Sequence, residues 1–439
     1  MNLSENQQDH ILLLQDIARR AMLQRGLLPD FPANVQAEAD NIPAPQTPAA
    51  NGTVRDLRDL LWASIDNDDS LDLDQLTVAE ALRDQRTRIR VAVADVDSLV
   101  PFGSAIDEHA SHNTTSIYTA AEVFPMLPVK LSNDFTSLNP ETDRLAVVTD
   151  MVIDAEGHIK ESAVYRAVVR NHAKLAYNSV AAWLDGEGPE PEAVTAVPGL
   201  AENIRLQQTV AEALDQFRQE QGALNFQTIE AKAVFEGNQI VDLQTEQRNC
   251  AKLIIEVFMI SANTTNAKFL ESRKLPSIRR VVRKPKRWDR IVDVAAEYNF
   301  DLPRHPNAKA LNEFLLQEKE ADPLRFPDLS LTIIKLLGSG EYVAEKPGLE
   351  APGHFGLAVK DYTHSTAPNR RYPDLITQRL LKATLENERT PYTFEELETL
   401  AEHLTKQEDI AAKVERQVNK SAAALLLKSK IGQQFDAFV

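Results

Sequence analysis

Residues Ser64 to Leu76 read SIDNDDSLDLDQL. Five aspartates, Asp66, Asp68, Asp69, Asp72 and Asp74, fall within nine positions. Like charges packed that closely repel, and a fold keeps them together when something cationic sits among them. Clustered carboxylate oxygens suit hard divalent cations such as Mg2+, with Mn2+ as a substitute. A solvated acidic loop is the plain alternative. Against it, apolar Ile65, Leu71, Leu73 and Leu76 interleave with the acids, so the segment is expected to be half buried with its carboxylates to one side. An EF-hand starting at Asp66 is excluded, because its sixth and twelfth positions would be Leu71 and Thr77, not Gly and Glu.

Working outward, Ile89 to Val96 reads as a partly buried strand. Residues 145–153 read as another, Asp154 to Gly157 as a turn, and Ile159 to Val169 as its hairpin partner. Helices are expected over Ile204 to Gln221, Ala251 to Leu270, 288–298, 307–318, 328–338 and Pro373 to Glu386, with two more between Thr393 and Ser429. Leu184 to Leu200 reads as an acidic loop, and Glu230 to Leu243 as a hairpin around Gly237. At the N-terminal side, His10 to Leu27 reads as an amphipathic helix stopped by Gly26, followed by a Pro-rich linker or arm to about Val54. Strands, then helices, then more strands predict an α+β (mixed α/β) fold. No Walker or Rossmann glycine loop, Cys/His zinc set or G-x-S-x-G serine is present.

The length of 439 residues suggests two or three domains. A net charge of -17 argues against non-specific nucleic-acid binding by the whole surface. Charge is local, however: Lys268 to Arg290 carries ten Lys/Arg, enough for a basic channel on an acidic body. A lone Cys250 excludes an intrachain disulfide framework and suits a reducing cytoplasm. Neither a signal peptide nor a membrane span is read, and a monomer is expected.

Two further stretches carry chemistry. Tyr362 to Ala383, YTHSTAPNRRYPDLITQRLLKA, puts Arg370 and Arg371 just before a helix. That is unfavourable for the helix dipole unless an anion sits there, and guanidinium holds phosphate oxygens bidentately. Pairing with surface carboxylates is the alternative. Thr115 to Asn133 combines aromatics, prolines and a lysine, as base-stacking loops do, although packing is the commoner fate of an aromatic.

Together the three stretches resemble the RNase II (RNB) exoribonucleases, from about Asp56 to Ala383 and more weakly beyond. SIDNDDSLDLDQL is similar to the family's first motif, TSIYTAAEVFPMLPVKLSN to its second, and YTHSTAPNRRYPDL to its third, with HFGLAV from His354 ahead of it. The resemblance implies an RNB catalytic domain, a mixed sheet surrounded by helices, over 55–390. A helical arm would occupy 1–54 and C-terminal helices 391–430, with 431–439 as the first strand of an OB-type RNA-binding domain that is missing or cut away. It implies a hydrolytic 3′→5′ exoribonuclease that degrades single-stranded RNA to nucleoside 5′-monophosphates, with two metals about 3.5–4 Å apart. Asp66, Asp72 and Asp74 fall at its metal positions, Gln75 where a fourth aspartate stands, and Asp74, Arg370 and Tyr177 at catalytic positions. Tyr118 and Phe226 match the base-stacking aromatics, and Glu256, Arg371 and Glu415 match RNA contacts.

The departures bear on function. Gln75 supplies a neutral oxygen in place of a carboxylate, and Asp68 or Asp69 is the nearest substitute. The family's N-terminal cold-shock domains have no counterpart in the residues before the first motif. A catalytically impaired RNA-binding relative is therefore the alternative function, and a metal-binding structural protein the third.

Overall fold

The strand Thr87–Ala94 is buried at every residue except Arg88. A strand that apolar needs a neighbour on each edge and cover on both faces. The computed structural model, which describes residues 9–45, 53–227, 231–245, 248–349, 352–428 and 430–434, supplies both. In chain order the strands used here are β1 (Val54–Asp56), β2 (Ala63–Asp66), β3 (Gln75–Ala81), β4 (Thr87–Ala94), β5 (Ile117–Tyr118), β6 (Val123–Phe124), β7 (Asp143–Ile153), β8 (Ile159–Arg170) and β9 (Ala173–Ala176). Seven of them form one sheet in the order β1-β8-β7-β4-β3-β2-β9. The four inner pairings, that of β2 with β3 included, are antiparallel, and both edge pairings, β1 with β8 and β2 with β9, are parallel. The sheet is thus mixed, and the fold is α+β.

Alternation along β4 separates the two faces. Ile89, Val91 and Val93 pack with Val210, Leu214, Ile254 and Phe258 on helices Leu200–Glu220 and Cys250–Ser272. Ala92 and Ala94 join a second cluster with Leu76, Val78 and Leu375, Ile376 and Leu380 of helix Tyr372–Glu386. Helix Tyr372–Glu386 therefore lies directly against the sheet, and the residues just before it reach the β2–β3 connection. A separate helical cluster, Trp288–Glu297, Ala308–Ala321 and Phe326–Leu337, has its own core around Phe314 and Ile291.

Several expectations are corrected. The stretch from Phe394 to Lys428 is one helix of 35 residues, not two, and it contains no Gly or Pro to break it. Part of the Pro-rich arm is helical, Ala33–Asn41, entered at Pro32. The acidic loop holds a short helix, Glu192–Thr195. Residues 431–434 form a turn and no strand, and 435–439 lie outside the described residues, as does Glu230 of the expected hairpin. Part of the basic run is neutralised within the fold. Ser277–Val281 pairs as a strand with Glu341–Glu345, and Arg279, Arg280 and Arg283 form ion pairs with Glu345, Glu408 and Glu341.

The helix His10–Gln24 lays Leu14, Ala18, Ala21 and Met22 against Ala411, Val414, Val418 and Ala422 of the long C-terminal helix. Gly26 ends that segment with a φ of +80°, a backbone state glycine adopts without steric cost.

Candidate active site

The aspartates occupy the connection between β2 and β3. Asp66 closes β2, and its Oδ1 accepts from the Asn67 amide at 2.9 Å and the Ser70 hydroxyl at 2.9 Å. Such short side-chain bonds to nearby donors shape a turn. Lys174 of β9 donates to the Ser70 carbonyl at 2.6 Å. Ser137 donates to the Leu71 carbonyl at 2.8 Å and accepts from the Leu73 amide at 2.9 Å. These bonds satisfy a backbone that no ladder serves. Leu73 is then sunk in the core with Leu76, Ile65 is buried in a second cluster, and Leu71, expected to share that burial, is 59% exposed. Asp72 is half-buried, Asp74 is buried, and Asp68 and Asp69 are exposed, with Asp69 on the wall of the cleft described below.

The turn before helix Tyr372–Glu386 meets this loop. Arg370 Nε donates to Asp74 Oδ2 at 2.7 Å, and the Asn369 amide donates to Asp74 Oδ1 at 3.3 Å. One step further, Asp374 Oδ1 accepts from the amides of Thr366 and Ala367 at 2.8 and 2.9 Å and from Arg371 Nη2 at 2.7 Å. The anions at this helix entrance are therefore the chain's own carboxylates. Arg371, expected to touch RNA, is held by Asp374. The Arg370 Nη groups make no hydrogen bond among the described residues, and that side chain is 39% exposed.

The electrostatics follow from this crowding. Burial pushes the Asp74 carboxyl up to about 7, against the pull of Arg370, and the neighbouring Asp72 charge adds to the rise. Burial also raises Asp66, again with Asp72 adding to it and Arg370 opposing. Burial works against the Arg370 charge, but Asp74 outweighs it and keeps the guanidinium protonated.

Tyr118 of β5 donates its phenol to Asp72 Oδ2 at 3.1 Å, and its amide donates to Glu415 Oε1 at 2.9 Å. The amide of Ser116 donates to the Arg370 carbonyl at 2.9 Å, which ties the β5 strand to the arginine turn. Tyr177 follows Ala176, whose backbone pairs with Asp66, so it starts beside the site. A cleft of about 1170 Å3 opens over Asp72 and Tyr118 and is walled by the long C-terminal helix at Glu415. Phe226, partly buried, packs against the Phe314 cluster and is not on the lining of this cleft. Glu256 is exposed and pairs with Arg248 at 3.0 Å. Gln75 opens β3, is 7% exposed, and makes no side-chain hydrogen bond among the described residues. A different oxygen-rich group, Asp154, Glu156 and His158, sits at the β7–β8 turn, where Asp154 is already paired with Lys160.

The RNB domain model matches residues 54–387. The chain belongs to the RNB family. Ribonuclease R of Escherichia coli is 32% identical to this RNB chain over 398 residues, covering 88% of the chain and 48% of the relative. Ribonuclease R of Aquifex aeolicus is 31% identical, covering 95% and 59%. The RNB chain thus spans about half the length of these relatives. The Mycoplasma genitalium RNase R structure in complex with ribose-methylated single-stranded RNA superposes with a TM-score of 0.87 at 26% identity, over 99% of this chain and 67% of that one. Yeast Ssd1, described as a pseudonuclease, has a TM-score of 0.69 at 20% identity, a likeness of fold alone.

Within this RNB site, sequence reasoning missed Asn369, Asp374, Ser137 and Lys174. Asp374 carried a signal, an acid in the first turn of a helix opened by proline. The other three are ordinary polar residues whose role appears only when the chain folds.

Proposed function

We propose that this chain is a divalent-metal-dependent exoribonuclease that hydrolyses single-stranded RNA from the 3′ end to nucleoside 5′-monophosphates. The observation that carries the reading is the convergence of Asp66, Asp72 and Asp74 with Arg370 beneath an aromatic-edged cleft. The donor set fits a hard cation: three oxygen ligands, two of them raised by burial and by the charge of Asp72, are stabilised when a cation joins them. Asp66, Asp72 and Asp74 would hold Mg2+ or Mn2+, with Gln75 as a neutral neighbour. When bound, a divalent cation polarises a phosphoryl oxygen and makes water nucleophilic near neutral pH.

The chain's own groups supply the rest. Arg370 uses Nε to hold Asp74 and keeps its Nη edge for the phosphate oxygens. Tyr118 presents a ring to an unpaired base while its hydroxyl fixes the Asp72 rotamer. Glu415 holds the Tyr118 main chain. Tyr177 stands at the Asp66 end, where it would steer the phosphodiester, while Phe226 and Glu256 would contact the last nucleotides from the outer wall. Among the described residues no helix is long and apolar enough to cross a membrane. A cytoplasmic monomer acting on RNA 3′ ends completes the reading.

A 5′-labelled oligomer incubated with Mg2+ should shorten from its 3′ end and release nucleoside 5′-monophosphates, and EDTA should stop it. Nucleoside diphosphates in phosphate buffer would refute hydrolysis. Gln75 favours a second reading, an RNA-binding relative with impaired catalysis, for which intact RNA in that assay is the expected result.

Position 75 has its own test. Gln75→Asp adds a carboxylate and should lower the Mg2+ concentration for half-maximal rate severalfold, to about tenfold. The midpoint should also depend on pH. Without a cation Asp74 keeps its proton below about 7, and a cation must displace it, so the midpoint rises as pH falls through that value. A Mg2+ midpoint that ignores both the substitution and pH would remove Gln75 and Asp74 from the metal's surroundings.

A further inference from the structure

We infer that Arg25, Lys413, Arg416 and Lys420 form a track that receives the RNA strand lying 5′ of the nucleotides in the cleft. Lys413, Arg416 and Lys420 recur at three and four residues along the helix Phe394–Lys428, so they share a face. All three are exposed, while Val414 and Val418 on the inner face are buried and hold the helix in place. Arg25, at the end of helix His10–Gln24, reaches the same face. It donates to Gln417 Oε1 at 2.8 Å and to the Ala21 carbonyl at 3.0 Å, both uncharged acceptors.

Among the described residues none of these four cations forms an ion pair. In a chain of net charge -17 the contrast is with Arg279, Arg280 and Arg283, which take the carboxylates of Glu345, Glu408 and Glu341. The one acid within this strip, Glu415, accepts from the Tyr118 amide through Oε1. Clustered cations without counter-charges repel, and a polyanion relieves that repulsion.

The strip is also continuous with the site. The shallow groove it lines, about 390 Å3, shares Arg416 and Lys420 with the cleft over Asp72 and Tyr118. From Lys413 to Lys420 the helix rises roughly 10 Å, a narrow line suited to a single phosphate backbone. The identity of the polyanion rests on the exoribonuclease reading. The track adds to it a path for the strand, built from the N-terminal and C-terminal helices.

The test is binding in EDTA, where cleavage plays no part. RNA oligomers of about 5 and about 25 nucleotides are titrated with the full chain and with Arg25→Gln/Lys413→Gln, the two cations that line the groove and not the cleft, over a range of KCl. Losing two phosphate contacts should weaken the long RNA about tenfold and make the slope of log K against log[KCl] shallower by about 1.4. The short RNA should bind as before. Equal losses on both lengths, or an unchanged long RNA, would overturn the track. So would a variant that loses only anionic lipid vesicles, which would mark a membrane surface. If long RNA binds through the strip yet none is cleaved with Mg2+, the exoribonuclease reading fails and the track stands.

Discussion

Asp74→Asn is expected to abolish RNA cleavage, by at least about a thousandfold, while RNA affinity stays at the wild-type level or rises. The change keeps shape and removes one charge. Asp74 is the most enclosed of the three acids and the one that Arg370 and Asn369 both grip. With Gln75 next to it, the position adjoining Asp74 offers no second carboxylate. Binding behaves differently, because the phosphate meets Arg370 and not Asp74. Released from its carboxylate, the Arg370 guanidinium presents more positive charge to the strand. Single-turnover cleavage with Mg2+ and filter binding without it measure the two effects separately. A variant that still cleaves at a tenth of the wild-type rate would end the catalytic assignment of Asp74.

Asp374→Ala should have the largest effect on stability, about 3–5 kcal/mol by urea unfolding, and should slow cleavage as well. Asp374 is fully buried and takes three donors on a single oxygen, one of them the Arg371 guanidinium. Without it, two amides and a largely enclosed cation lose their acceptor. The same turn carries Asn369 and Arg370 to Asp74, so its loosening displaces the phosphate-binding edge. Asp374 acts through that turn and is a positioning residue. Replacing Arg371 by Met in the Asp374→Ala background should recover part of the stability, since the unpaired charge is gone, and none of the activity. Recovery of both would mean that the turn keeps its shape without Asp374.

The aspartate loop was legible because charge density is a property of neighbours in sequence. The strands that frame it were not. β2 has four residues and takes one edge from β9, more than a hundred residues later, a pairing that periodicity cannot reveal. The arginine turn was legible as an anion site, but its anions came from Asp74, 296 positions away, and from Asp374. The basic run was misread for the same reason. Its carboxylates, Glu341, Glu345 and Glu408, lie outside the window in which its charge was counted. Phe226 was placed by resemblance as a partner of Tyr118. The fold anchors its segment to the outer helices, with the Gln227 amide on Ser330, a contact that its sequence neighbours do not reveal. In each case local chemistry was readable and the distant partner was not.

The contact between the first and last helices sets an order of events during synthesis. Arg25 and Gln417 are 392 positions apart. At roughly 5–20 residues per second, the ribosome adds the second about 20–80 s after the first. For that interval Leu14, Ala18, Ala21 and Met22 cannot have the cover that Ala411, Val414, Val418 and Ala422 provide. Helix His10–Gln24 is therefore made long before the helix that covers it, and it carries an apolar stripe until Phe394–Lys428 has been synthesised.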